Sequence, residues 1–72
     1  MPEDKHRKAA ELHKTAAKHH EDAAYHNKKA AEHYASGDHE KAGYHAFVAH
    51  SYHLLAVEET EKAAVGMTRG FP

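Results

Sequence analysis

The 72-residue sequence predicts an all-α fold, an antiparallel helical hairpin that dimerises into a four-helix bundle. Three observations carry this. Proline stands only at positions 2 and 72, so a long interior rich in alanine, lysine and glutamate has nothing to break a helix. One strong punctuation, Ser36-Gly37-Asp38, lies near the middle. Alanine and histidine also recur at seven-residue steps, the period of helices that pack along a shared seam.

Taken in order, helix 1 is expected over about 3–35. Pro2 suits a first helical turn, and Glu3 and Asp4 complement the positive end of the helix dipole. The turn is 36–38: Gly37 can adopt the left-handed conformation that ends a helix, and Asp38 is a fitting N-cap with Glu40 in the turn that follows. Helix 2 is expected over about 39–65, with Gly66 as its stop and 67–72 as a flexible tail, so that 1–66 form a single domain. Two helices of roughly 30 residues, each about 45 Å long, joined this tightly must run antiparallel.

Helix 1 sorts cleanly by its seven-residue step. Ala9, Ala16, Ala23 and Ala30 form one series, and Ala10, Ala17, Ala24 and Ala31 another. Leu12, His19, His26 and His33 form a third, followed by His6, His13, His20, Asn27 and Tyr34. On a helical wheel these four series fall within one arc of about 160°, with lysine and the acids behind them. The histidines therefore belong to the packing face, and small alanines let a partner helix come close.

Helix 2 repeats the design with Ala42, Ala49, Ala56 and Ala63, flanked by Ala46, His53 and Thr60 and with His39, His45 and His50 near the same face. From Tyr44 to Val57 it is apolar almost all round, more than one partner helix can cover. A second copy of the chain is the simplest cover, and Phe47, Val48, Leu54 and Leu55 are the expected dimer interface.

Composition excludes several functions. The absence of cysteine rules out disulfides, thiolate metal sites and cysteine nucleophiles. Ten Lys+Arg against eleven Asp+Glu leave no basic excess to hold a polyanion, so no nucleic-acid partner is expected. The start MPEDKHRK is too charged for a secretory signal and no apolar run approaches membrane-spanning length, from which a cytoplasmic protein without membrane contact is expected. Ten histidines are the unusual feature: net charge would move from −1 with neutral imidazoles to +9 with all protonated.

Imidazole is the commonest transition-metal ligand, and convergent rings suit Zn, Ni, Co or Cu. With the turn centred on Gly37, facing residues have numbers summing to about 74, give or take a helical turn. That sets His20 and Asn27 near His50 and His53, and brings His26 and His33 near His45, with His33 near His39 too. The candidate metal ligands are accordingly His20, His26, His33, His45, His50 and His53. The competing reading for each ring is structural: a neutral histidine donating one nitrogen to another imidazole, a tyrosine or a carboxylate.

Catalysis is not expected. The Glu-x-x-His spacing of di-iron bundles occurs once, at Glu3 to His6, and the mid-helix carboxylates Glu11, Glu21 and Glu32 lie among lysines. The serines Ser36 and Ser51 have no oxyanion donors beside them in the sequence pattern.

Gly37 to Ala42 with Ala46 and Ala49 is similar to the middle of a tetratricopeptide repeat, but that family's first-helix positions would fall on His26 and Ala30, which do not match. The A-A-x-x-H units, the S-G-D-H-E-K-A turn and the segment from His45 to His50 together resemble small histidine- and alanine-rich helical hairpins of bacteria, over residues 9 to 56. That resemblance implies the hairpin fold and no particular activity. The sequence thus supports a non-enzymatic protein that binds or buffers transition metal ions through imidazoles on the packing face. The alternative is a structural or interaction module, without a physiological metal, whose histidine seam makes assembly depend on pH.

Overall fold

A computed structural model describes residues 2–68, with side chains described for residues 4–65. Helix α1 spans Pro2–Ser36 and helix α2 spans His39–Thr68, packed against each other as a hairpin. The 35 residues of α1 account for the longest dimension, 53 Å, at about 1.5 Å per residue. The shortest dimension, 12 Å, is the diameter of one helix, so the chain forms a single layer.

The turn is built by its own backbone. Gly37 has φ +86°, in the left-handed region. Its N–H donates to the Tyr34 carbonyl (3.2 Å) and the Asp38 N–H reaches back to the His33 carbonyl (2.9 Å). These two bonds satisfy carbonyls at the end of α1 in a Schellman arrangement. Asp38 then caps α2: its Oδ1 accepts from the Lys41 N–H at 3.1 Å, while its carbonyl accepts the Ala42 N–H at 3.0 Å.

The fully buried residues of the contact are all alanine. Ala16, Ala23 and Ala30 of α1 and Ala42, Ala49, Ala56 and Ala63 of α2 are all buried, and no larger hydrophobic side chain joins them among the described residues. A methyl-lined seam brings the two helices close, since the side chains at a contact set its width.

The seam is narrower than the sequence arc implied. Ala10, Ala17, Ala24 and Ala31 are exposed, as are His6, His13, His20, Asn27 and Tyr34. One partner helix covers a two-in-seven stripe; the rest of a wide apolar face remains outside it. In α2 the second covered series is His45, Tyr52 and Glu59, whereas of the expected flank Ala46 and Thr60 are half-buried and His53 is exposed. Four of the ten histidines (His19, His26, His33 and His45) are half-buried and the other six are exposed, so the expectation that the imidazoles as a group face inward holds for the four only.

Among the expected interface residues, Val48 is half-buried against the hairpin, whereas Phe47, Leu54 and Leu55 are 64%, 52% and 42% exposed. Helix α2 also continues to Thr68 rather than stopping at Gly66, and residues 69–72 of the expected tail lie outside the described residues.

Two glycines make opposite predictions. A Cβ on either Gly37 or Gly43 meets no atom within 4 Å, so only backbone conformation decides. Gly37→Ala should destabilise the hairpin by about 1–2 kcal/mol, the cost of holding an L-residue left-handed. Gly43→Ala, inside α2, should stabilise by about 0.5–1 kcal/mol. Thermal melting by circular dichroism should move by about 4–8 °C per kcal/mol in these two directions.

Candidate functional site

Beside the buried alanines, the larger aromatic and imidazole side chains of the seam stack. From the turn outward, His33 of α1 lies over His45 of α2 with ring centroids 5.4 Å apart and planes 7° from parallel. His45 stacks in turn on His26 of α1 at 5.1 Å and 26°. His26 stacks on Tyr52 of α2 at 5.8 Å and 17°, and Tyr52 on His19 of α1 at 5.7 Å and 29°. His19 ends the ladder with Nδ1 2.8 Å from Glu59 Oε1.

Five rings thus alternate between the helices and finish on a carboxylate. The paired residue numbers sum to 71 or 78, a seven-residue step apart and centred close to the register expected from the turn. Each ring of one helix therefore sits between two positions of the other. Tyr25 packs edge-on against His26 and Tyr44 against His45, closing the sides of the ladder.

One contact restricts protonation directly. His26 Nδ1 and His45 Nδ1 are 2.9 Å apart. For a hydrogen bond, one nitrogen must donate and the other must accept, so at least one of these rings is neutral. His45 holds its proton less tightly than an ordinary imidazole. Partial burial is the first cause, followed by positive charge at His26, His33 and Lys29.

The opposite end of the ladder has different electrostatics. A proton on His19 faces the Glu59 carboxylate, and both side chains are largely shielded, at 21% and 15% exposure. Lys18–Asp22, Lys29–Glu32 and Lys62–Glu58 instead join neighbours on one helix at 3.3–3.9 Å, and Lys41 reaches the cap at Asp38 at 4.0 Å. Such exposed local pairs contribute only a few tenths of a kcal/mol.

Beside the seam runs an open groove of about 380 Å³. His20 and Asn27 rise from α1, and His50 and His53 from α2. Its floor is Ala23, Ala24, Ala46 and Ala49. The His50 and His53 ring centroids are 6.3 Å apart.

The six candidate ligands therefore divide between two places. His26, His33 and His45 stack in the seam; His20, His50 and His53 border the groove. His39 does not join His33 and packs instead edge-on to Tyr34 at 5.9 Å. As their side chains stand, no three or more His, Cys, Asp or Glu among the described residues are grouped to hold a metal ion.

Sequence reasoning missed Glu59 as a seam residue. The signal was available, since Asp38, His45, Tyr52 and Glu59 are seven apart.

Compared with known proteins, the chain matches no family model, no curated sequence and no solved structure. No described helix is long and apolar enough to cross a membrane.

Tyr52 tests whether the ladder holds the helices together. Tyr52→Ala removes two ring contacts, each worth about 0.5–1.5 kcal/mol, and should lower stability by about 1–3 kcal/mol. Tyr52→Phe keeps both ring faces and should melt close to the parent. Equal melting of all three proteins would show that the stacking contributes nothing.

Proposed function

We propose that this chain is a non-catalytic helical assembly module whose closed form depends on neutral imidazoles, so that mild acid loosens it. The observation that carries the reading is the His26–His45 contact, in which two ring nitrogens share one proton at 2.9 Å. Protonating both rings removes the acceptor and places two like charges in stacked rings, with His33 stacked on the far side of His45.

The sign follows from His45. Its folded-state proton affinity is depressed by partial burial and by His26, His33 and Lys29. The unfolded chain therefore binds that proton more readily. Stability is fully present above about pH 6.5, the ordinary imidazole value, and falls as pH drops below it. Lys29 faces the ladder on the side where its ammonium lies 5.7 Å from the Tyr25 ring, adding positive charge.

Self-association belongs to the same reading. The hairpin's own core is seven alanines, while Phe47 and Leu54 lie on the side of α2 away from the seam and are more than half exposed. Chains of this size seldom stabilise themselves by one small core. A second copy laid over Phe47, Leu54 and Leu55 supplies the missing burial and yields a four-helix bundle.

His26, His33 and His45 use their ring faces on one another, and His26 and His45 also one nitrogen each, which favours this role over metal ligation for them. The hydroxyls of Ser36 and Ser51 each donate to a carbonyl of their own helix, at 3.1 Å, which supports a non-catalytic reading.

Melting temperature should fall by several degrees between pH 7.5 and 5.5. His45→Phe, which keeps a ring and loses the titration, should lose much less over the same interval. An acid response that is absent in the parent, or undiminished in His45→Phe, would sink the proposal. Sedimentation at pH 7.5 should give a dimer for the parent and a monomer or unfolded chain for Leu55→Lys; a monomeric parent at tens of micromolar would rule out self-association.

A further inference from the structure

The exposed histidines beside the seam take no part in the ladder, and their placement has a chemistry of its own. We infer that His20, His50 and His53, across the alanine-floored groove, form a site for one late first-row divalent transition ion such as Zn²⁺, Ni²⁺ or Cu²⁺.

As they stand the three rings are not gathered round one point, but all three border the same groove. His50 and His53 are one helical turn apart on α2, with ring centroids 6.3 Å apart and planes tilted by 32°. Two imidazoles sharing a tetrahedral ion, with metal–nitrogen bonds of about 2.0–2.1 Å, place their ring centres about 5 Å apart. Modest side-chain rotation closes the difference. His20 stands across the groove on α1, in the register that the seam establishes: with His53 its number sums to 73, between the 71 and 78 of the stacked pairs.

All three rings are exposed, so no packing has to be undone to turn them. The seam rings differ in this respect, each being stacked on at least one ring of the facing helix. The floor of alanine methyls leaves the space above it clear for three rings to lean together.

Donor chemistry selects the class of ion. The groove is lined by imidazoles, alanines and one amide, with no lysine or arginine to repel a cation and no carboxylate to supply charged oxygen. Calcium and magnesium require several oxygen ligands and would find only the Asn27 amide. Three neutral nitrogens suit Zn²⁺, Ni²⁺ and Cu²⁺, with the fourth position left to water or to the Asn27 carbonyl oxygen. Groove and seam share no imidazole, so the inference stands apart from the pH-dependent reading.

Calorimetric titration of ZnCl₂ into the full chain at pH 7.5 tests it, with circular dichroism confirming that every variant stays helical. The parent should bind one ion per chain saturably, and the ion should raise its melting temperature. His20→Gln, His50→Gln and His53→Gln should each weaken binding by more than about tenfold, the size of effect that even the outer partners of a metal ligand produce. His13→Gln and His39→Gln, exposed histidines outside the groove, should bind as the parent does. No saturable binding, full binding in the groove variants, or an equal loss in the two controls would each overturn the assignment.

Discussion

Close approach of two backbones is the constraint on which the rest of this structure depends. Alanine at every seventh position of both helices narrows the seam to methyl contact. Anything larger at the adjoining positions must lie flat. Imidazole and phenol rings can do so, and they stack in alternation from His33 to His19. A seam of leucine would hold the helices farther apart and would have no reason to order rings in parallel planes. The recurrence of histidine in step with alanine is thus one design rather than two.

That geometry divides the histidines by consequence as well as by position. Rings in the seam stack on one or two rings of the facing helix. Rings on the flank border open space and can reorient without disturbing the hairpin. The ten imidazoles therefore stand in two settings, and the boundary between them is the edge of the seam. On α1 the two kinds are adjacent in sequence at His19 and His20, yet the first meets Glu59 and the second borders the groove.

The ladder is also polarised along its length. Near the turn it contains two ring nitrogens in direct contact, with Lys29 close to the same stretch. At the open end it terminates on a carboxylate. The turn itself is held by backbone bonds at Gly37 and Asp38, which imidazole protonation leaves intact. Loosening in acid would then work against a connection that remains closed.

Much of the architecture was legible in local sequence. Gly37 and Asp38 carry helix-ending and helix-starting chemistry that needs no tertiary context, and the register about the turn follows from helix geometry once the link is this short. The pairing of His26 and His33 with His45, and of His20 and Asn27 with His50 and His53, came from that register alone. The width of the covered face did not. A wheel shows which residues share a side, but the number of partner helices decides how much of that side is enclosed; one partner covers Ala9, Ala16, Ala23 and Ala30 with Leu12, His19, His26 and His33, and leaves the next two series outside. Nor could periodicity alone place Glu59 in the seam. A carboxylate becomes a seam residue only when an imidazole on another helix arrives at hydrogen-bonding distance, and that depends on where the two backbones meet.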